Sequence, residues 1–169
     1  MPTLRTPGDD FMVLERYFKK FKIRDKIALP LKTNCSTGPK ICFEGIELVL
    51  YYFYEYNNGD KQWVKIDFDY TLAFECRQAV CIESKFSKLI DSSSILICDG
   101  SDWQERVLNT WYHDVGRHHK YLQELGGKHR FKHYSIYFDD EAYIWVLAAG
   151  IKEISVVADL SELPAFVFK

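Results

Sequence analysis

The sequence lacks most of the features that place a chain quickly. Its longest apolar runs, residues 48–54 and 143–151, fall far short of the roughly 18 residues that cross a bilayer, so no membrane span is expected. Residues 1–10 do not combine basic, apolar and small-residue regions in signal-peptide order, and the chain is expected to stay in the cytoplasm. Nine glycines and five prolines among 169 residues are too few for a collagen-like or low-complexity chain, and no heptad run supports a coiled coil. Neither charge sign dominates. With 22 basic and 24 acidic residues the net charge is −2, which gives no overall field to gather nucleic acid or an anionic membrane.

The five cysteines, Cys35, Cys42, Cys76, Cys81 and Cys98, are odd in number and show no CxxC spacing, the usage of free thiols kept reduced in the cytosol. Without a ligand knuckle they do not suggest structural zinc. There is also no P-loop, no GxGxxG after a strand, no GxSxG elbow and no EF-hand loop, which removes the commonest nucleotide, hydrolase and calcium readings. Neither metal nor cofactor is expected.

What is present is a globular composition rich in rings. Hydrophobic residues make up 47% and charged residues 27% of the chain, and a domain of this size buries about 70% of its unfolded surface, enough for a core of its own. Twelve Phe, eleven Tyr and four Trp raise the aromatic share to 16%, an excess that suits sheets and recognition surfaces better than helical bundles.

Along the chain, Asp9 and Asp10 precede Phe11, Leu14, Phe18 and Phe21 at helical spacing, so a short docking helix is expected over residues 10–21. Residues 27–31 read as an edge strand limited by Pro30, and residues 34–40 as a loop. The strongest local signal spans residues 46–68, where two β-rich runs flank Asn57-Asn58-Gly59-Asp60. Taking Asn58-Gly59 as a two-residue type I′ loop sets Tyr54 opposite Trp63, Tyr52 opposite Lys65 and Leu50 opposite Asp67. In that register Val49, Tyr51, Phe53, Val64, Ile66 and Phe68 face the core. Leu50, Tyr52, Tyr54, Trp63, Lys65 and Asp67 then form an amphipathic outer face suited to an interface. Asp67 and Asp69 could suggest paired carboxylates, but with Lys65 beside them they read as solubilising charges.

Further on, residues 72–77, 80–83 and 95–98 have β character. Ser101 with Gln104, or Asp102 with Glu105, stands at capping-box spacing ahead of Trp103, Val107 and Trp111, so a helix over 102–112 is expected. Residues 115–125 read as a second helix or an ordered loop. Residues 132–138 and 142–149 read as strands around Asp139-Asp140-Glu141, with 151–157 extending the sheet.

All five histidines, His113, His118, His119, His129 and His133, fall within residues 113–133, together with Arg117, Lys120, Lys128, Arg130 and Lys132 and only two acidic residues, Asp114 and Glu124. Three chemistries fit this cationic segment. Metal binding lacks an HExxH motif, and His113 and His118 are not an i,i+4 pair. General acid–base catalysis would pair His133 with Asp139 or Asp140, as in a small hydrolase or nuclease. Recognition of an anionic partner would use Arg117, Lys120, Arg130 and Lys132 with Tyr121 and Phe131 between them, as in a nucleic-acid-binding module.

Two stretches carry a resemblance. Residues 63–83, WVKIDFDYTLAFECRQAVCIE, and residues 133–150, HYSIYFDDEAYIWVLAAG, preceded by Trp103, are similar to small bacterial α+β proteins, some of which look like toxin-immunity proteins. Together they cover about two-fifths of the chain. Ile144 and Trp145 stand where those proteins carry an acidic residue. His133, Tyr134 and Asp139 match, and the resemblance implies an immunity-like inhibitor that binds a protein.

The combined expectation is a single α+β domain, a mainly antiparallel twisted sheet packed against two or three helices. Its function is expected to be non-catalytic recognition of another macromolecule, a protein rather than nucleic acid, through Tyr52, Tyr54, Trp63, Lys65 and Asp67 or through Arg117, Lys120, Arg130, Lys132 and His133.

Overall fold

The structure is a computed structural model that describes residues 22–33, 39–78, 91–113, 123–124, 126–138 and 142–165. Its elements are β1 (Lys22–Ala28), β2 (Lys40–Glu44), β3 (Glu47–Glu55), β4 (Lys61–Gln78), β5 (Ser94–Asp99), α1 (Asp102–His113), β6 (Lys132–Phe138) and β7 (Ala142–Val156). The strands form one antiparallel sheet in the order β1-β5-β6-β7-β4-β3-β2. Among the described residues α1 is the one α-helix seen over its whole length, and residues 123–124 are also helical; the expected helix over 10–21 and most of the 115–125 segment lie outside the described residues.

Two long strands form the spine. β4 runs 18 residues and β7 runs 15, paired from Val64↔Val156 to Gln78↔Ala142. The runs read separately as 46–68 and 72–77 meet in this one strand. They look like two because bulges between Asp67 and Phe68 and between Thr71 and Ala73 interrupt the alternation, and Tyr70 between them takes a positive φ of 44°.

The sheet is rolled. Tyr52 on β3 and Phe138 on β6 are separated by two intervening strands, a span of about 14 Å in a flat sheet, yet their ring centroids lie 5.8 Å apart. Phe68 and Tyr134, on strands separated by β7, approach to 5.6 Å. The inner face holds the main core, including Leu48, Leu50, Tyr52, Ile66, Phe68, Ile95, Ile136 and Val146. The stretch after β1 fastens this roll: Tyr52 Oη donates to Leu31 O at 2.7 Å, Thr33 N donates to Ser92 O at 2.7 Å, and the Thr33 hydroxyl reaches Tyr137 O.

The outer face carries a second core, where Trp103 and Leu108 of α1 cover Phe131, Tyr143, Trp145 and Leu147. A third cluster sets Tyr51, Phe53 and Trp63 under Leu163. β1 closes one margin of the sheet with Lys22, Arg24, Asp25 and Lys26, all exposed, and a bulge between Ile23 and Asp25. Charge and irregularity of this kind protect a sheet edge.

The β3–β4 hairpin is where expectation and structure part. The observed pairs are Tyr54↔Gln62, Phe53↔Trp63, Tyr52↔Val64, Tyr51↔Lys65 and Leu50↔Ile66, one position away from the expected register. Tyr56 N donates to Asp60 O and Gly59 N to Tyr56 O, both at 2.8 Å, and Gly59 has φ 86°. The loop therefore has three residues, a turn over Asn57-Asn58 completed by a left-handed glycine, instead of two. Because side chains alternate, the extra residue turns the whole of β3 over. Val64, Ile66 and Phe68 face the main core as expected, but their companions are Leu48, Leu50 and Tyr52.

A Cβ at Gly59 would meet no atom within 4 Å, so substitution there costs backbone strain alone. Gly59→Ala is expected to lower unfolding stability by about 1–2 kcal/mol, read as a reduced urea midpoint at unchanged m-value.

Candidate binding surface

The slipped register dismantles the expected docking face. Tyr52 is 1% exposed and lies inside the roll. Trp63 is 8% exposed and packs on Phe53 with centroids 5.1 Å apart. Tyr54 is half-buried and meets the Tyr56 ring edge-on at 5.0 Å. Lys65 and Asp67 do share the outer face, as a partly buried pair 3.6 Å apart, with Glu153 at 3.4 Å from Lys65. Burial opposes the charge on Lys65, but Asp67 and Glu153 outweigh it and raise its pKa. These two residues neutralise each other beside the third cluster and do not form a binding patch.

Of the cationic segment, Arg117 and Lys120 lie outside the described residues, as do His118 and His119. Arg130 and Lys132 are exposed, but Arg130 is engaged, with Nη2 3.4 Å from Asp69 Oδ2 and its guanidinium 5.6 Å from the centre of the Tyr70 ring. His133 is fully buried, in ring contact with Trp103 at 4.9 Å and Trp145 at 5.1 Å. Its Nδ1 lies 2.8 Å from Ser101 Oγ. Burial pushes its pKa down to about 3, so the imidazole is neutral wherever the protein is folded at ordinary pH. Asp139 and Asp140 lie outside the described residues; Phe138, which precedes them, is five strand residues and about 17 Å from His133. The dyad expected for a hydrolase therefore has no support on the His133 side.

Instead, His133 helps to anchor α1. Ser101 is the helix N-cap: its hydroxyl accepts from Gln104 N at 3.0 Å, and its carbonyl accepts the first helical bond from Glu105 N. Gln104 Nε2 reaches on to Phe131 O at 3.1 Å. The capping signal at Ser101 and Gln104 was legible; that the same hydroxyl would meet His133 required the β5–β6 pairing of Cys98 with His133. Neither Cys98 nor Cys76 is an activated thiol. Burial and Asp99 push Cys98 up to about 12, and burial with Glu75 raises Cys76.

The surface that does stand out lies at the opposite end of the β3–β4 hairpin from Gly59. Phe43, Ile46 and Phe74 are 46%, 44% and 41% exposed. Phe43 stands opposite Leu48 and Phe74 opposite Val146, so both continue the apolar stripe of the inner face beyond its covered part. Their centroids are 5.8 Å apart. Ile46 occupies the second position of the tight turn between β2 and β3, after Gly45 at φ 62°, and its carbonyl accepts from Thr71 N at 2.7 Å. A hairpin turn ordinarily carries polar residues; here it presents an isoleucine beside two phenylalanines.

Sequence reasoning missed this tip because β2 was not assigned. The signal was Glu44-Gly45-Ile46-Glu47, in which glycine at the first central position permits a two-residue hairpin turn. No protein-family model matches the chain, and no curated protein or solved structure matches it.

The depressed His133 pKa fixes a direction. Unfolding restores an ordinary value near 6.5, so below that pH the unfolded chain binds a proton that the native state refuses. The contribution is complete above about pH 6.5 and is lost toward the folded value of about 3, which makes acidification from about pH 7 to about pH 5 cost roughly 2 kcal/mol. Urea titrations across that range should show the loss, and His133→Gln should reduce the slope by about one proton.

Proposed function

We propose that the protein is a non-catalytic recognition protein that binds another protein through the Phe43, Ile46 and Phe74 tip. The observation that carries this reading is that Phe43 and Phe74, each more than two-fifths exposed, meet at one end of the inner sheet face, with Ile46, 44% exposed, in the adjoining turn. Contiguous exposed apolar surface of this kind is characteristic of interfaces, whereas single exposed hydrophobes are ordinary. Completing the burial of each would contribute about 1 kcal/mol, and two phenylalanines resemble the aromatic anchors that dominate interface energetics.

The similarity of residues 63–83 and 133–150 to immunity-like proteins supports an inhibitor as the form such a protein takes, with a toxic enzyme as the partner and the cytoplasm as the site of action. Occlusion by a rigid apolar tip needs no catalytic group on the inhibitor. The alternative of nucleic-acid binding through Arg130 and Lys132 is less well supported, since Arg130 already faces Asp69 and phosphate binding depends on available cations.

Affinity capture from the source cell tests the reading. A specific protein should be retained by the unaltered chain and by Lys132→Ser, and lost when Phe43 and Phe74 are both replaced by Ser, each replacement weakening binding by roughly fivefold to tenfold. An unchanged set of captured proteins in the double variant would overturn the assignment. Salt-sensitive RNA or DNA binding abolished by Lys132→Ser would replace it with the nucleic-acid reading.

A further inference from the structure

The Gly59 end of the hairpin holds a separate feature. The turn, the first residues of β4 and the chain leaving β7 border an open cleft of about 720 Å3, inside the range of small-ligand clefts of roughly 300–1,000 Å3. Val157 N donates to Trp63 O at 2.9 Å, which holds the departing chain against β4 and keeps the cleft shaped. Its lining has an unusual composition: the amides Asn57, Asn58 and Gln62, the acid Asp60, the exposed Tyr56, an edge of the mostly buried Trp63 residue, and the apolar Val157, Ala158 and Leu160, the last 54% exposed.

The polar groups are held in place by one another. Asn58 Nδ2 donates to Asp60 Oδ2 at 2.6 Å, and Asp60 N donates to Asn58 Oδ1 at 3.1 Å. Tyr56 Oη donates to Gln62 Oε1 at 2.8 Å, which sets the 41% exposed Tyr56 ring and leaves the Gln62 amide protons to be donated elsewhere. The Asn57 carboxamide is exposed and makes no hydrogen bond to the described residues. Each carboxamide offers a donor and an acceptor side by side, and the tyrosine ring offers a negative face.

This set disfavours other ligand classes. A phosphate would meet the Asp60 carboxylate, and the one cation of the lining, Lys61, already stands 3.7 Å from Glu55 and over the Phe53 ring at 4.7 Å. A metal ion would find a single carboxylate. A wholly apolar ligand would strand three carboxamides. Adjacent hydroxyls that both donate and accept, on a ring whose C–H face can lie on an aromatic, satisfy the lining.

We propose that this cleft binds a neutral carbohydrate of two or three units, with Tyr56 as the stacking platform and Asn57, Asn58, Asp60 and Gln62 as hydroxyl partners. The inference is independent of the apolar tip at the other end of the hairpin.

Nuclear magnetic resonance of the full chain tests it with a panel of neutral gluco-, galacto-, manno- and chito-oligosaccharides, free and as protein conjugates to separate a soluble sugar from a glycoprotein. At least one sugar should shift the side-chain resonances of Asn57, Gln62 and Trp63 saturably, with a Kd below about 10 mM. Asn57→Ala and Tyr56→Ala should each weaken it by about tenfold or more, while inorganic phosphate leaves the spectrum unchanged. Asn57→Ala removes no bond to the described residues, so it remains informative even if Tyr56→Ala disturbs the turn. Absence of saturable shifts with the whole panel, shifts that persist undiminished in Asn57→Ala, or equal shifts with phosphate would each overturn the proposal.

Discussion

The ladder between β4 and β7 is the contact on which the remaining elements depend. It places β3 and β2 on one side and β6, β5 and β1 on the other, so the two halves are hydrogen-bonded into one sheet only through it. Its bulges and the left-handed Tyr70 concentrate twist where the two strands are longest. That bending lets side chains from β3 and β6 touch across the inside. A flat sheet with these sequences would leave two separate apolar strips, each needing its own cover.

The outer face follows a different logic. α1 does not cover the sheet evenly; it sits over the β6–β7 side, where Trp103, Trp145 and His133 form a mutual ring cluster. The helix entry point is defined by a polar contact inside that apolar setting, the Ser101 hydroxyl between Gln104 N and His133 Nδ1. Buried polar contacts add little net stability but are costly to misplace, and this one ties the start of α1 to the sheet at a defined position.

Much of the architecture could be read before any coordinates. The strands over 95–98, 132–138 and 142–149 with its extension over 151–157, the helix beginning beside Ser101, and the hairpin around Asn58-Gly59 all announce themselves by local pattern. What could not be read are the features set by a choice between near-equal local options. Asn57-Asn58-Gly59-Asp60 accommodates a two-residue loop or a three-residue one, and only the fit of Leu48, Leu50 and Tyr52 into the rolled interior decides between them. The candidate surface was hidden for the same reason: Tyr52 and Trp63 look amphipathic in sequence, and their burial comes from distant partners, Leu31 and Leu163. The exposed Phe43 and Phe74, by contrast, look like core residues until the sheet's extent is known.

The two lateral margins of the sheet are unlike. β1 lines its margin with charged side chains and a broken hydrogen-bonding rhythm, whereas β2 is a short strand that displays Phe43. Among the described residues, adding a foreign strand to the first would strip water from Lys22, Arg24, Asp25 and Lys26, a larger penalty than at the shorter β2. Among the described strands, edge pairing is thus biased against β1, and polymerisation, which needs both margins, is disfavoured at one of its two steps.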